Sequence, residues 1–439
     1  MEKEKIKINK KKRRNNAILY PIYKMFSWDL LSFYSIEFLF YTITKGISAS
    51  EVLMLTSVYI ICKILFQIPS VAISDYFGKR KSIILGNLLL VIYMLILIFS
   101  PNISWIVIAN IFCAFGYDLK LITESNLLYD SVSTKGGDGI YTKIDSKGAS
   151  GYYILDTALS VIAGYLFVIN NYIPIYISLF FLIVSTILSF KFKDIYKAKG
   201  AKKEESFTNF IKGYSTDIVN SFKFIKKSNR MRSYLIFAAV FYGFIKIMST
   251  YKSDLLVDIG VTEEQFSMIY AVLSLIAAVS VSYSKKVQRH FKNKTLTVLS
   301  LSNIISVIFI GVIAINITNN IALPLILIFY TIIKITDSQW WVTEYTYLKN
   351  FTTPESRNKI TFTYELITGI GASIISMLGA VMLDYIYIKH AMVLIGLLFL
   401  AIMIVILDYM RSRFGLKPKQ YTKEDLEFVE SKEKKNVKA

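Results

Sequence analysis

The chain has 439 residues, of which 54% are hydrophobic and 19% charged; a soluble protein of this size carries about 25% charge, so a soluble enzyme is excluded. Lys and Arg total 51 against 31 acids, a formal charge of +20, but a chain this apolar does not read as a nucleic-acid binder. Cys62 and Cys113 lie inside apolar stretches, which leaves no disulfide framework or thiolate metal site, and no cofactor is expected.

Apolar stretches long enough to cross a bilayer, about 20 residues each, fall at about 20–44, 50–74, 82–100, 104–132, 148–169, 172–192, 232–254, 262–283, 295–316, 320–348, 359–383 and 388–409. The first is too long for a cleavable signal, and no small-residue cleavage site follows it. Alternate connections, beginning with the N-terminus, hold 43 of the Lys and Arg residues; those on the other side hold three, Lys45, Lys252 and Lys389. The positive-inside rule then predicts twelve crossings in the cytoplasmic membrane with both termini cytoplasmic. The surplus charge is topology, helped by anionic lipid at the inner leaflet. Residues 1–19 form a basic arm, 20–192 a six-helix bundle, 193–231 a Lys-rich linker, 232–409 a second six-helix bundle and 410–439 a charged tail.

The two halves repeat at an offset of about 214 residues. Gly46-Ile47-Ser48-Ala49-Ser50-Glu51 precedes the second span and Gly260-Val261-Thr262-Glu263-Glu264-Gln265 the eighth. Each places Ser or Thr three positions before Glu or Gln, a capping box that opens a helix. Ile122-Thr123-Glu124-Ser125-Asn126 in the fourth span matches Ile335-Thr336-Asp337-Ser338-Gln339 in the tenth, and Lys120 matches Lys334. A parallel duplication of six-helix units is a transporter architecture.

Gln67 to Lys81, which includes Asp75, Gly78, Arg80 and Lys81 and is followed by Gly86, resembles the loop signature between helices 2 and 3 of the major facilitator superfamily. Val71 and Tyr76 replace its first Gly and first basic residue. Leu127-Leu128-Tyr129-Asp130-Ser131, with Gly148 and Gly151, and the segment from Asn350 to Thr361 with Pro354 and Arg357 are similar to a bacterial exporter-like subgroup. The resemblance implies an all-α membrane protein with twelve transmembrane helices in two six-helix bundles. It also implies a cytoplasmic latch at Asp75, Gly78, Arg80 and Lys81. The second-half equivalent, Ser284 to Phe291, lacks both the Asp and the Gly, so the latch is asymmetric.

Twelve ionisable residues lie well inside the spans, and nine fall on spans 1, 4, 7 and 10: Asp29, Glu37, Asp118, Lys120, Glu124, Lys246, Lys334, Asp337 and Glu344. The other three are Lys63, Asp156 and Glu365. Ionisable groups at bilayer depth usually face an interior or a watered path, and the family fold places those four spans around a central cavity. Lys120 and Glu124 share a helix face, as do Lys334 and Asp337, so each pair can either bind substrate or close the bundle. Asp118 points about 160° away from Lys120 and is the candidate proton carrier. Asp29 and Glu37, within about 80° on a continuous helix, both reach the cavity. Asp130, Glu344 and Arg357 are candidate gate or loop anchors. Trp340 and Trp341 either contact substrate or pack.

Six acids against three bases favour a cationic or zwitterionic substrate, with protons as the coupling ion. Span 5 lacks the Gly-Pro pair of the family's antiporter signature. The expectation is a non-enzymatic secondary transporter, acting as a monomer, that exports a small organic cation or amphipathic compound by alternating access with proton antiport. An uptake permease, a lipid-linked-substrate translocator and a non-transporting sensor are the alternatives.

Overall fold

The computed structural model describes residues 2–132, 138–195, 229–291, 294–317, 319–350 and 357–414. Most of the central linker, Gly136-Gly137 and the tail beyond 414 lie outside the described residues. Among those described the fold is all α-helix, without strands: α1 (Glu2–Ser27), α2 (Glu37–Leu39) running into a π-helical turn (Phe40–Thr44), α3 (Ala49–Phe77), α4 (Lys79–Phe99), α5 (Ile103–Val132), α6 (Asp138–Ile169), α7 (Ile173–Ser189), α8 (Asn229–Asp258), α9 (Glu263–Ser282), α10 (Ser284–Phe291), α11 (Thr295–Asn316), α12 (Asn319–Asn350), α13 (Arg357–Tyr385) and α14 (Ile388–Phe414). Ten of these are long and apolar enough to cross a membrane, and α7 is a shorter apolar helix.

The first span departs from a continuous helix. Its backbone leaves α-geometry between Ser27 and Glu37, where Ser32 takes a positive φ of 71°. Polar side chains there compete for the backbone. Asp29 Oδ1 accepts the Leu30 N–H at 3.0 Å, Ser35 Oγ donates to the Ser32 carbonyl at 3.0 Å, and Ser178 on α7 donates to the freed Leu31 carbonyl. The angular argument that set Asp29 and Glu37 on one helix face is therefore overturned, because Asp29 sits in the break and Glu37 opens α2. The fifth span also begins earlier than its apolar stretch, since α6 starts at Asp138.

The helices form two compact units, Met1–Ser48 with Val58–Gly213 and Thr262–Ala271, and Ala49–Ser57 with Tyr214–Val261 and Val272–Ala439. In the first, Tyr20, Tyr23, Ile83, Leu127, Leu128, Val132 and Phe192 make a buried cluster. In the second, large buried aromatics line α8, α12 and α13, including Phe241, Tyr251, Trp340 and Tyr364.

The repeat is visible in the backbone. Gly46 (φ 66°) and Gly260 (φ 83°) both occupy the left-handed region, which favours glycine. The next N–H folds back in each repeat, Ile47 to the Tyr41 carbonyl and Val261 to the Leu256 carbonyl, both at 3.0 Å. The capping box forms at α9: the Thr262 N–H donates to Gln265 Oε1 at 3.3 Å, and the Gln265 N–H to Thr262 Oγ1 at 3.4 Å. Lys45 Nζ caps the other end of α4 through the Ile98 and Ser100 carbonyls, at 3.0 and 3.1 Å, where the helix dipole favours a cation.

Helices α4 and α5 cross with backbones in contact. A Cβ on Gly86 would lie 2.9 Å from the Gly116 carbonyl oxygen, and the reverse holds for Gly116. Neither carbonyl can rotate away without breaking its helix. Gly86→Ala and Gly116→Ala are each expected to lower unfolding stability by about 1–3 kcal/mol, read by thermal unfolding of the purified protein in lipid nanodiscs.

Candidate functional site

The sequence-predicted charges gather into two sets, one in each unit. In the first unit Asp29 Oδ1 accepts the Tyr117 hydroxyl at 2.5 Å, joining the helix break to α5. One turn along α5 stands Lys120, fully buried at 0% exposure. Glu124 and Asp29 are the carboxylates that act on it most strongly, yet its Nζ makes no hydrogen bond and rests 5.1 Å from the Tyr117 ring. The expected Lys120–Glu124 pair is thus an electrostatic neighbourhood without direct contact. Glu124 is buried, and one of its carboxylate oxygens has no hydrogen bond. Tyr23 on α1 faces Glu124 and accepts the Asn87 amide on its hydroxyl at 2.9 Å. Asp118 is buried on α5, and Glu37 acts on Tyr34, Tyr41 and Cys113 nearby.

Two members of this set were not singled out in the sequence. Lys24 on α1 and Asp145 on α6 form an ion pair at 2.5 Å, Tyr20 donates to the same carboxylate oxygen at 3.1 Å, and Lys24 Nζ lies 4.4 Å from the Trp28 ring. A Cβ on Gly148 would sit 2.9 Å from Lys24 Cβ, so that glycine lets α6 press against α1 here. Lys24 lies in the apolar first span and Asp145 ahead of the fifth. No spacing rule connects residues 121 apart.

In the second unit Asp337 pairs with Lys252 at 3.8 Å and accepts the Asn303 amide at 2.7 Å, while Lys334 acts on it electrostatically. Lys252 had counted as a span-end base on the sparse side, but here it is the ion-pair partner of Asp337. Asn303 is the ninth residue of α11 and Asn87 the ninth of α4, and both are fully buried. A buried asparagine amide thus bonds into each set. Lys246 lies half-buried on α8, its Nζ 5.3 Å from the Tyr242 ring. Trp340 is fully buried edge-on to Phe241 at 5.1 Å, a packing role, while Trp341 is exposed.

The Major Facilitator Superfamily profile matches residues 25–336. The chain belongs to that superfamily. No match was found among curated proteins. Similar solved structures include the nucleoside transporter NupG (TM-score 0.69, 12% identity, covering 92% of this chain and 100% of that one) and a POT family transporter in complex with 5-aminolevulinic acid (TM-score 0.62, 14% identity, 91% and 95%). A third is a bacterial homolog of the human lysosomal transporter Spinster, in an inward-facing and occupied conformation (TM-score 0.63, 12% identity, 92% and 98%). The fold is that of an all-α, multi-pass membrane transporter, and the family is one of transporters rather than enzymes.

In this facilitator the loop between α3 and α4 is held inside the first unit. Gly78 takes φ +94°, a left-handed turn that favours glycine. The acid at the start of α4 is Asp194, at the end of the α7 segment. Its carboxylate accepts the Arg80 N–H at 2.9 Å, where the helix dipole favours negative charge. Arg80 Nη2 donates to the Phe190 carbonyl at 2.8 Å, and Lys12 Nζ to the Asp194 carbonyl at 3.2 Å. Lys79 pairs with Asp130 at 2.5 Å. Lys81 is exposed. The side chains of Asp75 on α3 and Arg357 at the start of α13 lie outside the described residues.

Breaking one half of the Lys24–Asp145 pair strands a mostly buried charge. Asp145→Asn is expected to destabilise by about 2–4 kcal/mol. Asp145→Leu with Lys24→Met recovers most of that loss. Thermal unfolding of the three proteins in nanodiscs checks it, and equal stability of Asp145→Asn and wild type contradicts it.

Proposed function

We propose that this facilitator is a secondary transporter of the cytoplasmic membrane, with both termini cytoplasmic, that exports a small organic cation, zwitterion or amphipathic compound by alternating access in exchange for protons. The observation that carries the reading is the Asp29–Lys120–Glu124 set. A buried lysine and a buried glutamate beside the half-buried Asp29, with one Glu124 oxygen and the lysine ammonium making no hydrogen bonds, favour a ligand or proton that completes them. Lys24 and Lys252 bring the balance of acids and bases closer than the sequence suggested, which favours the zwitterions among the expected substrates. Small organic substrates are in keeping with the nucleoside and peptide transporters among the structural neighbours. The export direction rests on the resemblance of residues 127–131 and 350–361 to exporter-like facilitators.

Inside-out vesicles containing the protein test the reading, offered a panel of organic cations and zwitterions with and without an imposed proton gradient. Accumulation that collapses with a protonophore is the expected result. No accumulation of any compound by folded protein shifts the reading to an uptake permease or a translocator of lipid-linked substrates. Asp29→Asn and Glu124→Gln are each expected to cut proton-driven accumulation by about tenfold, the consequence of losing one contact of about 1.5 kcal/mol to a charged group. Asp118→Asn, at normal expression, is expected to abolish coupling. Wild-type coupling in that variant removes Asp118 as the proton carrier.

A further inference from the structure

The duplication places two acids at equivalent ends of α5 and α12, and the structure treats them oppositely. Asp130 is ion-paired to Lys79 at 2.5 Å and partly exposed. Glu344 is 4% exposed, and among the described residues no lysine or arginine forms an ion pair with it. Its Oε1 accepts the Tyr364 hydroxyl at 2.6 Å, and its backbone carbonyl accepts the Tyr234 hydroxyl at 2.9 Å. The two tyrosine rings stack at 5.8 Å and close the site from α13 and α8. Oε2 makes no hydrogen bond. Among the described residues, the titratable groups that act on Glu344 are Tyr364 and Glu365 from α13, with Tyr234 of α8 bonded to its backbone carbonyl.

We infer that Glu344 is a proton-binding site, a carboxylic acid capped by the Tyr234–Tyr364 pair, which loads and releases a proton at the end of α12 as those tyrosines part and close. The carboxyl has two states, charged and neutral. A carboxylate sealed in this position would be a buried charge with no ion pair among the described residues, the more costly arrangement. The neutral acid keeps its carbonyl oxygen on the Tyr364 hydroxyl and leaves a single O–H without an acceptor, a smaller penalty. The repeat supplies the contrast: Asp130 has a lysine at hand and pairs with it. On the orientation read from the basic residues, this end of α12 faces the cytoplasm, so the site exchanges protons on that side.

Its role in transport rests on the proton-coupled reading above, whereas its protonation does not, and infrared spectroscopy separates the two. Full-length protein in lipid nanodiscs is titrated with pH while the carbonyl stretch of protonated carboxylic acids is followed. Wild type is expected to show a band that Glu344→Gln lacks and Asp118→Asn keeps. Tyr364→Phe is expected to move the same band to higher frequency, because the carbonyl loses its hydrogen bond; a purely packing role for Glu344 gives no such shift. An unchanged spectrum in folded Glu344→Gln overturns the inference. In proteoliposomes, Glu344→Gln is expected to keep substrate-for-substrate exchange and lose proton-driven accumulation. Wild-type protein that shows the band but no proton dependence keeps the site and retires the coupled reading.

Discussion

Burying an ammonium group where water cannot reach it is among the costliest things a fold can do, and Lys120 is completely buried. The neighbouring architecture is understandable as compensation for it. The first span gives up its helix so that Asp29 can approach from the break. Glu124 lies one turn away on the same helix, and Tyr117 offers both a ring face to the ammonium and a hydroxyl to Asp29. A continuous first helix would satisfy its own backbone but would leave Asp29 fixed on a helical face. The break costs backbone bonds that Ser35 and Ser178 then restore.

The second unit reaches the same end by other means. Asp337 takes the place of Glu124, but its counter-charge is Lys252 from α8. The Asn303 and Asn87 amides each bond into the polar set of their own unit. Duplication has kept the helix positions and the glycine turns at Gly46 and Gly260, while the charges have diverged. Divergence of that kind suits a transporter whose two halves do different work.

Much of the fold was legible in the sequence because bilayer crossing demands long apolar helices, and glycine turns with capping boxes are local signals. The Thr262–Gln265 box formed as the spacing implied. Candidate residues on α5 and α12 were legible for the same reason, since charge at depth is rare. What stayed hidden depended on contacts between helices. Lys24 and Asp145 meet across α1 and α6, Lys252 and Asp337 across α8 and α12, and Asp194 reaches the start of α4 from a segment read as linker. The break at Asp29 was missed because its residues are apolar enough to read as helix. Only the tertiary competition for its backbone shows that they are not.

The carboxylates around Lys120 balance its charge, and the fold depends on that balance. The most direct measurement is a double-mutant cycle on unfolding stability in nanodiscs with Lys120→Met, Glu124→Gln and the pair. Compensation predicts that the double variant recovers part of the loss caused by Glu124→Gln alone, a coupling of about 0.5–3 kcal/mol. Strictly additive losses would mean that Lys120 and Glu124 do not sense one another, and would contradict it.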